Sequence, residues 1–149
     1  MKQQINGNNP IRVLHMAPIR MGGITELVLT LSEKIDFEKV QFDYLTFEDT
    51  FDQASKRAKE AHSTIYRVDL QTVKNPIVRG LKKFFGIIKL VHSEQIKIIH
   101  INSSTPYEVL VAFAAKIGGA KKIIYHSHNS SYYPGPVSYT HLRAHETSA

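Results

Sequence analysis

Residues 11–47 read IRVLHMAPIRMGGITELVLTLSEKIDFEKVQFDYLTF, and this stretch decides the fold. Its first seven residues, IRVLHMA, are a short apolar run stopped by Pro18, the pattern of a buried strand. Ile24, Leu27, Val28, Leu31 and Ile35 then recur at helical spacing. Residues 40–47 (VQFDYLTF) alternate and are rich in β-branched and aromatic side chains, which marks a second strand. Two parallel strands need a crossover between them, usually a helix, and strand–helix–strand supplies one.

The alternation continues outward from that unit. Residues 51–61 form a polar helix and 64–68 a short third strand. A loop through Asn75 and Pro76 opens a long helix reaching about Ser93. Its apolar face is read as Ile77, Leu81, Phe84, Phe85, Ile88 and Val91, opposite a basic face of Arg79, Lys82, Lys83 and Lys89. Residues 97–101 (KIIHI) give a fourth strand and 106–117 an apolar helix closed by Gly118 and Gly119. Residues 122–125 give a fifth strand. The expected fold class is therefore α/β: a doubly wound, Rossmann-like parallel sheet of strand order 3-2-1-4-5, covered by helices. Its ligand crevice is expected at the carboxyl ends of strands 1 and 4, where the order reverses. The domain is expected over residues 11–131, after a polar lead of residues 1–10.

Composition bounds the function classes. The 149 residues carry a formal net charge of +6 and a pI near 9.5, which suits anionic partners: phosphates, acidic lipid headgroups or nucleic acid. An apolar share of 42% and a charged share of 21% are those of a globular chain and not of a disordered one. The absence of cysteine excludes a disulfide framework and a thiolate metal site. Residues 1–10 lack the apolar core of a signal peptide, and the longest strongly apolar run, 109–115, is too short to cross a bilayer. A cytoplasmic location is expected.

The last stretch is set apart. Residues 137–147 (VSYTHLRAHET) read as the in-frame translation of the mosaic end and adapter of a transposon sequencing library. On that reading His141 and His145 have no role, residues 132–149 are a non-native or disordered tail, and the natural sequence departs from this one near Pro136.

The polar clusters fall at the carboxyl ends of the expected strands. Gly22 and Gly23 open the first helix, where the missing Cβ atoms let a ligand approach. The exposed N–H groups and helix dipole there favour an anion such as a diphosphate, with Arg20 as an added charge; a plain tight turn is the alternative. Strand 4 leads into Asn102, Ser103 and Ser104, small polar residues that suit either ligand contacts or, at Ser104 or Thr105, helix capping. Strand 5 leads into His126, His128 and Asn129, with the two imidazoles on one side of the strand. A histidine there can orient a hydroxyl or stabilise developing charge, while a zinc site would need two more ligands that no cluster supplies. His100, inside strand 4, reads as a core histidine or as one that supports the site from behind. Residues 48–52 (EDTFD) read as helix capping around Thr50 with first-turn acids, not as a metal motif.

Taken in order, residues 11–17, MGGI (21–24), VQFDYL (40–45), IIHIN (98–102) and IYHSHN (124–129) resemble the N-terminal domain of GT-B glycosyltransferases of the family 4 type, especially those of bacterial capsule and exopolysaccharide synthesis. The resemblance implies two Rossmann-like domains across a cleft, the N-terminal one receiving the acceptor and the C-terminal one holding a nucleotide-sugar. It matches Gly22 and Gly23 to the donor diphosphate loop and His128 to the catalytic histidine near the transferring sugar. It puts Arg20, Asn102, Ser103, Ser104, His126 and Asn129 on the acceptor side. It implies transfer with retention, no cofactor beyond the nucleotide-sugar substrate, no obligatory metal and no nucleic-acid partner. The acceptor would be a glycan or a lipid-linked glycan. The basic face of Arg79, Lys82, Lys83 and Lys89 reads either as a simply solvated face or as contact with an anionic membrane surface, where a lipid-linked acceptor would be reached. The C-terminal donor-binding domain is missing, so the fragment alone is expected to be inactive. Two other functions fit the same fold: a non-enzymatic flavodoxin-like ligand-binding module and a sugar-nucleotide epimerase.

Overall fold

The computed structural model describes residues 10–17, 19, 22–103 and 108–127. Five strands and four helices alternate: β1 (Ile11–Met16), α1 (Gly23–Lys34), β2 (Val40–Thr46), α2 (Asp52–Glu60), β3 (Ile65–Arg67), α3 (Pro76–Ser93), β4 (Ile98–Ser103), α4 (Val109–Ile117) and β5 (Lys122–Ser127). All pairings are parallel, in the order β3-β2-β1-β4-β5. The order and class match the sequence expectation.

The sheet has a core on each face. On one, Val28 and Leu29 of α1 and Ala58 of α2 pack with Ile19 and Tyr44. On the other, Ile87 and Val91 of α3 and Val111, Ala114 and Ala115 of α4 cover Leu14, Met16, Leu45, Ile99 and Ile101. The central strands are apolar on both sides because both sides are covered. β5 is the outer strand, exposed along most of its length.

Beneath one edge of the sheet lies a polar network. The carboxylate of Asp43 is fully buried and accepts from Arg12 Nε at 2.8 Å and from the Thr64 backbone N–H at 2.8 Å. Arg12 also donates to the Tyr66 hydroxyl, which donates to Glu94 Oε2 at 2.8 Å. Four segments distant in sequence are thereby tied together, and every buried charge has partners, as low dielectric demands.

Local chemistry sets the helix ends. Asn75 caps α3, its Oδ1 accepting from Ile77 N–H at 2.9 Å and Val78 N–H at 3.2 Å, with Pro76 just inside. Gly118 closes α4 and Gly119 takes a positive φ of 103°, the left-handed geometry glycine adopts most readily.

Three sequence expectations are corrected. The N-cap of α2 is Phe51, not Thr50, and no side chain caps it. The buried face of α3 uses Ile87 and Val91, with Phe84, Ile88 and Leu90 partly covered, whereas Ile77, Leu81 and Phe85 face outward. The long apolar run of this helix gives its periodicity two possible stripes, and packing against α4 selects one. Finally, Lys83 is not on an open basic face. Its Nζ lies 2.7 and 3.0 Å from the Glu108 carboxylate oxygens and 4.4 Å from the Phe47 ring centroid.

Candidate functional site

The glycine half of the site is built by the exit of β1. Gly22 and Gly23 are both exposed at the start of α1, and no side chain caps that helix. A helix start without a side-chain cap leaves backbone N–H groups for a ligand or water. Among the described residues, a Cβ added at either glycine would meet nothing within 4 Å. The bare backbone there is open to close approach by a ligand.

Beside these glycines is a cavity of about 440 Å³ between α1 and α2, lined among others by Thr25, Glu26, Phe51, Gln53 and Arg57. Arg57 holds its floor. Its NH1 lies 2.7 Å from Glu26 Oε2 and its Nε 2.7 Å from Glu33 Oε1. Hydrogen bonds from Arg57 keep both glutamates below the ordinary carboxylate range. The sequence reading singled out neither Phe51 nor Arg57.

The imidazole half lies on β1, β4 and β5. Asn102 and Ser103 are buried at the end of β4. Asn102 is in register with His126, and Ser103 with Ser127. β5 extends two residues past the expected end, so His126 lies inside the strand and is exposed. It stacks on half-buried His100, with ring centroids 5.9 Å apart and planes 2° from parallel. His100 is thus a partly open residue of a histidine row, not a sealed core residue.

That row starts with His15, which the sequence reading missed. His15 pairs in register with His100, and their rings are 4.9 Å apart. It is buried, and its Nδ1 lies 3.5 Å from the Asn102 side-chain nitrogen. With that amide as donor, Nδ1 accepts and the ring proton sits on Nε2, which has no partner among the described residues. Burial pushes the imidazole down to about 3, and His100 adds to the shift. His15 is therefore neutral at physiological pH, with Nδ1 placed to accept from the Asn102 amide. The signal available in the sequence was a histidine inside an otherwise apolar strand.

The two halves meet at neighbouring strands β1 and β4, where the strand order reverses. The 440 Å³ cavity belongs to the glycine half only, since Asn102 and His126 do not line it. Arg20, Ser104, His128 and Asn129 lie outside the described residues, as do Thr105 and the stretch 137–147. Among the described residues, no group of three or more His, Cys, Asp or Glu could hold a metal ion.

This architecture has known counterparts. The model of the family "Glycosyl transferase 4-like" matches residues 50–147. The chain belongs to that family. Among curated proteins, EpsF of Bacillus subtilis (strain 168), named as a glycosyltransferase, is 29% identical over 130 residues, or 83% of this chain and 32% of EpsF. A glycosyltransferase from Rickettsia africae ESF-5 shares the fold with a TM-score of 0.63 at 16% identity, over 85% of this chain and 32% of that one. MurG from Acinetobacter baumannii does so with a TM-score of 0.60 at 17% identity, over 83% and 37%. The chain spans about a third of the length of these relatives. Membership selects the glycosyltransferase domain over the ligand-binding module and the epimerase.

Proposed function

We propose that this glycosyltransferase family 4-like domain is the acceptor-side half of a two-domain enzyme that transfers a sugar from a nucleotide-sugar to a glycan or lipid-linked acceptor in surface polysaccharide synthesis. The observation that carries the reading is the pair Gly22 and Gly23 at an α1 start without a side-chain cap, one strand from Asn102 and Ser103. As the bond from the anomeric carbon to the diphosphate breaks, negative charge grows on the leaving group. Fixed backbone N–H groups at a helix start stabilise such charge without reorganising. Arg20 adds charge to that loop, and His128 sits near the transferring sugar in the family resemblance. Asn102, Ser103, Ser104, His126 and Asn129 line the acceptor side. In this reading transfer retains the anomeric configuration and needs no cofactor and no obligatory metal.

The donor's nucleotide would be held by a C-terminal domain that this chain does not include, so the chain alone would not turn over. Residues 137–147 would be adapter translation, with the natural sequence diverging near Pro136. If the acceptor is lipid-linked, the enzyme works at the inner face of a membrane. The test begins with the genomic DNA past codon 136, followed by expression of the restored gene. Nucleoside diphosphate release from a panel of nucleotide-sugars, requiring both domains, is the expected result, with the product anomer read by NMR. Transfer by the present chain alone, or an unrelated downstream sequence, would overturn the proposal.

A further inference from the structure

The cavity of about 440 Å³ between α1 and α2 reaches beyond the glycine pair, and nothing in the transfer step uses its deeper part. Its size is that of a small-molecule site. It begins at Gly22 and Gly23 and extends between the two helices to Arg57. The β4–β5 residues Asn102 and His126 are not in its wall.

Phe51 is the telling residue of that wall. It stands at the N-cap of α2, where Ser, Thr, Asp or Asn would accept from the helix N–H groups and a phenyl ring cannot. Its side chain is also 54% exposed. Its backbone, by contrast, is fixed. The N–H donates to the carbonyl of buried Ile19 at 2.8 Å, and the carbonyl accepts from Ser55 N–H at 2.9 Å. A residue that breaks two local rules at a held position beside a cavity points to a ligand.

The rest of the wall sets the chemistry of that ligand. Gln53, two residues on, is exposed and lines the same space, and Glu26 faces it from α1. Among the described residues, Arg57 is the only cation in the wall, and it is already held by Glu26 and Glu33, each at 2.7 Å. One cation against two carboxylates leaves the cluster negative, which disfavours an anionic occupant. A pyranose suits what remains. Its C–H face packs on an aromatic ring, and its hydroxyls both donate to a carboxylate and pair with an amide.

We propose that this cavity is a subsite for one uncharged pyranose of the acceptor glycan, other than the sugar that receives the new bond, with its C–H face on Phe51 and its hydroxyls on Gln53 and Glu26. Arg57 is a positioning residue: by bridging α1 to α2 it sets the width of the cavity before the sugar enters. A glycan held here passes the glycine pair to reach the crevice, so binding at a remote ring helps to orient the reacting one. That the ring belongs to an acceptor rests on the transferase reading; that the cavity binds an uncharged sugar does not.

The test is titration of this chain, labelled with nitrogen-15, with the methyl glycosides of glucose, galactose, N-acetylglucosamine and glucuronic acid, read as amide shifts by NMR. At least one uncharged glycoside is expected to shift the amides of Glu26, Phe51 and Gln53, with the glucuronide at least about five-fold weaker. Phe51→Ala should weaken the uncharged glycoside by about ten-fold, Gln53→Ala by about five-fold, and Phe51→Tyr should retain binding. Phe37→Ala removes an exposed ring beyond the other end of α1 and should change nothing. Both cavity positions are exposed, so circular dichroism should show each variant folded. No shift at these amides with any uncharged glycoside, equal binding of the glucuronide, or binding unaffected by Phe51→Ala and Gln53→Ala would overturn the proposal. So would displacement of the glycoside by uridine diphosphate, which would give the cavity to the donor. Shifts without transfer by the restored enzyme would remove the transferase reading alone, and transfer without shifts would remove this one alone.

Discussion

His15 makes the stability of this fold depend on pH in a calculable way. In the unfolded chain its imidazole titrates near the ordinary histidine value of 6.5, and in the folded chain burial lowers that to about 3. Between those values the unfolded state binds the proton and the folded state resists it, so stability is full above pH 6.5 and is lost as pH falls toward 3. The slope approaches about 1.4 kcal/mol per pH unit. From pH 7 to pH 5 the loss through His15 is about 2 kcal/mol, a large part of a small domain's stability. His15→Gln keeps a neutral side chain that can serve Asn102 but cannot titrate. Urea unfolding of both proteins at pH 7 and 5, followed by far-ultraviolet circular dichroism because the chain has no tryptophan, isolates the effect. Glu26, Glu33 and Asp36, whose folded carboxyls titrate below their ordinary range, contribute alike to both proteins and cancel. The wild type should lose about 2 kcal/mol more than the variant over this interval. Equal losses in the two proteins would refute the reasoning, since the buried imidazole would then not be the group responsible.

Other substitutions separate packing from function. Asp43→Ala strands Arg12 and the Thr64 N–H and should cost about 3 kcal/mol in chemical denaturation, the lower end for a broken buried pair because the Arg12 side chain is 31% exposed. Gly118→Ala puts a Cβ 2.8 Å from Val91 Cβ and 3.0 Å from the Ile88 carbonyl oxygen, so a loss of about 1–3 kcal/mol is expected by the same assay. Gly23→Ala should do the reverse: thermal unfolding of this chain is unchanged or slightly raised, while the restored enzyme loses donor-dependent transfer. Unfolding of the Gly23 variant would show the glycine to be structural. Lys82→Gln and Lys83→Gln should diverge in thermal unfolding, the first leaving Tm unchanged because Lys82 is exposed and the second lowering it by breaking the partly buried pair with Glu108.

The topology was legible because each central strand is a short apolar run and each crossover has its own helical period. His15 was hidden by the same property. Within IRVLHMA one polar residue does not disturb the reading of a buried strand, and only the register with His100 and Asn102 shows what it does. The end of β5 was placed early because His126 and Ser127 are polar; main-chain pairing with Asn102 and Ser103 carries the strand on regardless. Gly22 and Gly23 were found where expected, since a glycine pair between a strand and a helix is a local signal. The cavity lined by Phe51 and Arg57 was not found, because it is made by two helices meeting on one face of the sheet and no stretch of sequence contains it.

Lys83 ties the long helix to the carboxyl rim of the sheet. Three of the long helix's lysine and arginine side chains lie outward, and the fourth turns inward to Glu108, the residue just before α4. The same ammonium sits over Phe47, which follows the last residue of β2. One cation therefore joins α3, the approach to α4 and the exit of β2, all near the carboxyl rim of the sheet. Glu108, just before α4, is held by this pair, and Ser103, at the end of β4, by the β4–β5 ladder. A hydrogen-bonded, partly buried ion pair holds position better than an exposed one, because less water competes for either charge. The pair thereby fixes the start of α4 against α3 and against the exit of β2.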